Sequence, residues 1–180
     1  GPRRQDSPVP PAAFARRRPE LLAGIVMLCP GLFARQMPSP LQYLGLTLAG
    51  SLGLDLKRVT IPLQDPALFT DSERWQNYIR KDPLTLRQIT IRFARADTRL
   101  TRFATESPQK INIPVLCILA GRDLIVDNRR VKQFFNAIDC DDKELVEYKN
   151  GAHTLEFEPD TQRYFSDVTS WGKELISRLH

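Results

Sequence analysis

Cysteine is scarce in this sequence, the excess of one charge sign is small, and long apolar runs are missing. The three cysteines are Cys29, Cys117 and Cys140. An odd number closes no simple disulfide framework, and two of the three sit inside apolar runs. They are expected to be small buried hydrophobes in a reducing, cytoplasmic compartment. Neither a Cys-x-x-Cys pair nor a Cys/His ligand spacing occurs, so no metal is expected and nothing points to a cofactor. No apolar run reaches the roughly 18 residues of a membrane-spanning helix. The opening residues Gly1-Pro-Arg-Arg-Gln-Asp6 lack the basic region and apolar run of a secretory leader, and Gly1-Pro2 resembles the remnant of a cleaved tag. The formal net charge is +5, with basic clusters at Arg3-Arg4 and Arg16-Arg17-Arg18 and the remaining basic residues spread among acids. Without a recognition motif, this balance argues for a solvated surface and against a nucleic-acid partner.

What is present suits one soluble domain. The chain has 180 residues, 42% hydrophobic and 26% charged, enough for a real core. Residues 1–11 hold Pro2, Pro8, Pro10 and Pro11 and read as an irregular lead-in. Ala12 to Arg18 reads as the last turns of a helix stopped by Pro19. Leu22-Ala-Gly-Ile-Val-Met-Leu-Cys-Pro30 reads as a short buried strand. Two further strands are expected at 113–119 and 144–148. Helices are expected at about 128–138, capped by Asp127, and at about 160–178. Strand, helix, strand, helix is the pattern of an α/β fold, a parallel sheet covered by helices.

Residues 36–108 differ in character. Pro38, Pro40, Pro62, Pro66, Pro83 and Pro108 punctuate helical stretches, the clearest from Leu84 to Ala104. A proline-broken helical insert between two buried strands reads as a cap or lid. The expected organisation is therefore a core of 12–35 and 109–180 with a cap at 36–108.

Two segments carry the chemistry. Ile113-Pro-Val-Leu-Cys-Ile-Leu-Ala-Gly-Arg-Asp123 is an apolar run that ends in a glycine turn and an acid. Leu145-Val-Glu-Tyr-Lys-Asn-Gly-Ala-His153 ends the same way in a histidine. Ligands bind beyond the carboxyl ends of strands in parallel α/β sheets. A hydrolytic base needs an imidazole held in one tautomer by a carboxylate, and Asp123 followed by His153 has the matching chain order. Singly, the acid could be a turn residue or helix cap and the histidine an ordinary loop residue. Their joint placement, with Glu156 and Glu158 just beyond, favours a catalytic pair.

Gly121-Arg-Asp-Leu-Ile-Val-Asp-Asn128 and Gly151-Ala-His-Thr-Leu-Glu-Phe-Glu-Pro159 resemble the acid and histidine loops of α/β-hydrolases. The resemblance is to the branch holding monoacylglycerol lipases, lysophospholipases and serine aminopeptidases, and it extends from about Ala12 to Leu179. Leu22 to Gly31 resembles the strand after the nucleophile helix, which a helical cap follows in that branch. The resemblance implies that Asp123 is the triad acid, with Asp127 its nearest rival, and that His153 is the general base. It implies a lipid or acyl-glycerol ester as substrate, with apolar residues from Phe33 to Leu48 and from Leu84 to Ala104 available either to line an acyl pocket or to form the cap's own packing.

The nucleophile is where the sequence departs from that branch. A Gly-x-Ser-x-Gly elbow belongs about 20 residues before the strand at Gly24. The window there, Arg3 to Pro11, offers only Ser7, without flanking glycines and beside Pro8 and Pro10. Ala49-Gly-Ser-Leu-Gly53 imitates an elbow, but Leu54 to Pro62 leaves no room for the helix that must follow, so Ser51 is expected to be a cap residue. The three strands would be the last three of the family sheet. The chain is therefore expected to be a fragment, a spliced form or one part of a multichain assembly, and to self-associate through the bare edge of its first strand. The competing expectation is a non-catalytic hydrolase-fold remnant that serves as an interaction module.

Overall fold

The computed structural model describes residues 11–36 and 39–178. At its centre is a three-stranded parallel sheet of β1 (Ile25–Leu28), β4 (Val115–Ala120) and β5 (Lys143–Tyr148), in the order β1-β4-β5. Ile25 pairs with Val115, and Val115 with Lys143 on its other side. All six residues of β4, Val-Leu-Cys-Ile-Leu-Ala, are buried. Such a run cannot be amphipathic and must be covered on both faces. Val115, Cys117 and Leu119 point into one core with α1 (Pro11–Arg17) and with Val131, Phe134 and Phe135 of α5 (Asn128–Asn136). Leu116, Ile118 and Ala120 point into the other, against Tyr164, Trp171 and Leu175 of α6 (Thr161–Ser177). Each fully buried branched side chain contributes about 1.5–3 kcal/mol, so β4 is the mechanical centre of the molecule.

The two edges of the sheet differ. β5 reads Lys-Glu-Leu-Val-Glu-Tyr, and its charges blunt the edge in the usual way. β1 reads Ile-Val-Met-Leu and carries no charge, and Leu28 is 40% exposed. Among the described residues, no strand pairs with its outer side.

The chain between β1 and β4 forms α2 (Pro40–Ser51), β2 (Arg58–Thr60), α3 (Glu73–Lys81), β3 (Gln88–Thr90) and α4 (Ile91–Thr105). Ser39 and Gln42 form a capping box that starts α2. The helix expected from Leu84 to Ala104 begins later. Val59 pairs with Ile89 in an antiparallel β2–β3 ladder, and the Thr90 hydroxyl accepts the N–H of Phe93 as the true N-cap. From Phe93 onward the apolar spacing coincides with α4. Upstream, Leu84 and Leu86 are exposed and lie between α3 and β3, so the segment holds two elements, a short strand and a helix. None of the helices is long and apolar enough to cross a membrane, among the described residues.

Candidate active site

Asp123 and His153 are delivered by adjacent strands. β4 ends at Ala120, and Gly121 turns the chain where β5 also ends. A Cβ on Gly121 would stand 2.5 Å from the Lys149 carbonyl oxygen and 2.7 Å from its Cα, so only glycine fits. The N–H of Gly121 donates to the Tyr148 carbonyl at 2.8 Å, and that of Arg122 to the Gly151 carbonyl at 3.0 Å. These bonds join the acid loop to the histidine loop.

Asp123 is 1% exposed. Its Oδ1 accepts the N–H groups of Ile125 and Val126, each at 2.8 Å, and its Oδ2 lies 2.8 Å from Nδ1 of His153. An ionised carboxylate only accepts hydrogen bonds. Nδ1 therefore carries the hydrogen, and the ring's lone pair stays on Nε2. Asp127, the alternative acid, accepts instead from the N–H of Arg129 at 3.0 Å as the N-cap of α5. The arrangement is what a base needs: one tautomer, one orientation, and a free nitrogen.

The histidine loop has supports that the sequence did not reveal. The Glu158 carboxylate accepts the Ala152 N–H at 3.0 Å, and the Phe69 carbonyl accepts the Thr154 N–H at 2.9 Å. The Phe69 ring meets the His153 ring edge-on, with centroids 6.0 Å apart. Trp75 stacks on Phe157 at 4.4 Å, and Arg122 pairs with Asp71 at 2.9 Å. Residues 69–75 thus lean over the histidine loop from the segment between β1 and β4. These contacts are non-local and leave no periodic trace.

Cys29 is the residue that sequence reading most undervalued. It is buried, as expected, but it directly follows β1, at the same end of the sheet as the pair. Its φ of 37° is the only positive value at a non-glycine among the described residues. Its sulfur lies within 4.8 Å of donor atoms of both Asp123 and His153. Burial, and then the charge of Asp123, push its thiol up to about 12, so it stays protonated at neutral pH and is no activated nucleophile. The available signal was its position directly before Pro30-Gly31 at a strand's end.

Ser51 is the last residue of α2. It is exposed, and its hydroxyl donates to the Thr47 carbonyl at 3.2 Å. No strand precedes it, so the elbow imitation is local sequence only. Ser7 lies outside the described residues. A cavity of about 840 Å³ between α2, the β2–β3 ladder and α4 is lined by apolar side chains, among them Leu46, Leu54, Val59, Ile61, Ile89 and Ile91. A smaller one of about 230 Å³ opens beside His153, against Cys29, Leu155, Glu156 and Tyr164.

The sequence profile of the family described as Hydrolase_4, serine aminopeptidase S33, matches residues 11–160. No curated protein matches the chain. Among solved structures, the monoacylglycerol lipase of Paleococcus ferrophilus superposes with a TM-score of 0.78 at 22% identity, over 92% of this chain and 63% of that one. A soluble variant of the Saccharomyces cerevisiae monoglyceride lipase, solved with a substrate analogue, gives 0.75 at 18% identity, over 91% and 58%. The mouse α/β-hydrolase domain-containing protein 10 gives 0.57 at 18% identity, over 94% and 58%. The chain thus spans about 60% of the length of these proteins. Parallel sheet, helical layers and profile agree: the chain belongs to the S33 serine aminopeptidase family and carries part of an α/β-hydrolase fold.

Proposed function

We propose that this chain supplies the acid and the base of a serine hydrolase acting on carboxylic esters of the acyl-glycerol kind. The observation that carries the reading is the 2.8 Å contact between Nδ1 of His153 and Oδ2 of the buried Asp123. In this reading His153 takes a serine hydroxyl's proton through Nε2 and returns it to the leaving alcohol. Asp123 holds the tautomer and stabilises the imidazolium, and the serine passes through an acyl-enzyme. Residues 36–108 act as the cap, and the apolar cavity between α2 and α4 receives the acyl chain. The free, unpaired thiols suit a reducing compartment such as the cytoplasm.

The nucleophile and the oxyanion donors come from polypeptide outside this chain. Of the described serines, none follows a strand into a helix. The chain covers only 63% and 58% of two of these relatives, and the uncharged outer side of β1 suits a further parallel strand. Without that strand, the same edge favours self-association. A purely non-catalytic interaction role is the second reading, favoured by that bare edge.

The test is reconstitution. The chain is co-expressed with the segment of its gene that precedes it and treated with a fluorophosphonate. Labelling of a serine in that segment, lost with His153→Ala, supports the proposal. Labelling of the chain by itself that Ser51→Ala removes would overturn the assignment of the nucleophile. No labelling of a folded, complete assembly would leave the interaction role.

A further inference from the structure

The β2–β3 ladder has two unlike faces. Val59 and Ile89, paired across it, line the apolar cavity already described. Arg58 and Gln88 alternate with them and stand on the opposite face. There they line a second cavity of about 820 Å³, bounded also by the end of α3 and by the chain between α3 and β3. The hydrolytic reading gives this cavity no task.

Its charge is one-sided. Arg58, Arg80, Lys81 and Arg87 all line it, against a single carboxylate, Asp82, whose Oδ1 is occupied by the N–H of Leu84 at 2.9 Å. Among the described residues, none of these four cations forms an ion pair. Elsewhere the surface does pair its cations: Arg95 with Asp55 at 2.9 Å, Lys132 with Glu147 at 3.0 Å, Arg178 with Asp142 at 2.7 Å. The C-terminal end of a helix favours cations, which accounts for Arg80 and Lys81 on α3. It does not account for Arg58 and Arg87, which come from outside the helix and repel the other two. Two of the guanidinium groups are also held in place. Arg80 donates to Oδ1 of Asn77 at 2.5 Å, and Arg87 donates to the Arg80 carbonyl at 3.2 Å. Gln64 donates to the Arg87 carbonyl at 3.1 Å and fixes the backbone there.

We propose that this cavity binds a small ligand through its phosphate groups. A guanidinium has five N–H donors in a planar fork that matches phosphate oxygens, and each bond listed above uses only one or two of them. A phosphate monoester brings about 1.5–2 negative charges at neutral pH, so it offsets this cluster better than one carboxylate does. Guanidinium groups already held in place lose less freedom when the anion arrives. Gln88 and Thr60 add neutral polar groups beside the cations. The volume lies within the roughly 300–1,000 Å³ of small-molecule sites and exceeds what one inorganic phosphate fills. The phosphate can belong to a soluble metabolite or to a lipid headgroup, since both present the same oxygens.

Two probes test the site in the whole chain at physiological salt. Inorganic pyrophosphate is titrated by calorimetry, and phosphatidylcholine vesicles with and without phosphatidate are tested by flotation. Saturable binding of pyrophosphate is expected if the ligand is soluble. Binding only to vesicles that contain phosphatidate assigns a lipid headgroup, and either result supports the site. Arg58→Gln combined with Arg87→Gln should weaken that binding about tenfold or more. Arg17→Gln combined with Arg99→Gln removes the same charge outside the cavity and should leave binding close to that of the parent. All four side chains are exposed, and far-UV circular dichroism establishes that each variant is folded. No binding of either probe by the folded parent, or an equal loss in both double variants, overturns the proposal. Failure of the esterase reconstitution leaves this result untouched, because no hydrolysis enters the measurement.

Discussion

The N–H of Arg122 donates to the carbonyl of Gly151 at 3.0 Å, so the acid loop and the histidine loop are tied by backbone alone. The tie sits one residue before Asp123 and two before His153. Position of the pair is thus set mainly by the β4–β5 ladder and only finished by the side chains.

Gly121 makes that approach possible. Gly121→Ala sets a Cβ against the Lys149 backbone, which cannot rotate away. The substitution is expected to lower stability by about 1–3 kcal/mol, in the range of overpacked sites. A urea midpoint unchanged from the parent would contradict this account of the turn.

The two acids near the loop should separate cleanly. Asp127→Ala removes a helix cap, at about 1 kcal/mol, and is expected to leave the His153–Asp123 bond intact. Asp123→Asn is nearly isosteric but presents an amide to Nδ1. In the completed enzyme it is expected to lower turnover by about 10⁴, as the wrong tautomer does elsewhere. In the chain itself, nitrogen-15 NMR of the imidazole should show the tautomer change for Asp123→Asn and not for Asp127→Ala.

How far the sequence could be read follows from which signals are local. β4 announced itself because six consecutive buried residues between Pro114 and Gly121 leave few alternatives. Asp123 and His153 could be paired because strand ends align in a parallel sheet. The β2–β3 ladder was missed because strands of three residues carry almost no periodicity. Phe69 and Cys29 were missed as neighbours of His153 for a different reason. Each reaches it from far away in the chain, and spacing encodes no such contact.

Ser51→Ala is expected to change nothing of consequence. The hydroxyl donates only to the carbonyl one helical turn back at an exposed helix end, so stability should move by less than about 0.5 kcal/mol. Thermal denaturation of the variant checks this directly, and fluorophosphonate labelling of the reconstituted enzyme should persist.

Alkaline pH should destabilise the chain. Burial pushes the thiols of Cys29 and Cys117 and the phenol of Tyr164 up to about 12. Burial, and then its bond to Asp167, raise Tyr148 as well. In the unfolded chain such groups ionise near 9 and 10. Each has its higher pKa in the folded state. Its contribution is therefore whole below the unfolded value and is lost as pH climbs to the folded one. Urea midpoints should be level to about pH 9 and decline from there to about pH 12. A flat profile across that window would show that these groups are not shielded.

The register of the sheet also implies an order of folding. Val115 finds Lys143 across a short α5 connection, whereas Ile25 must find Val115 across the whole intervening segment. Closing the longer loop carries the larger entropic penalty, so β4, α5 and β5 are expected to condense first. That early unit already contains both Asp123 and His153. The acid and the base would then meet before β1 arrives, and the nascent protein would display the pair ahead of anything that encloses it.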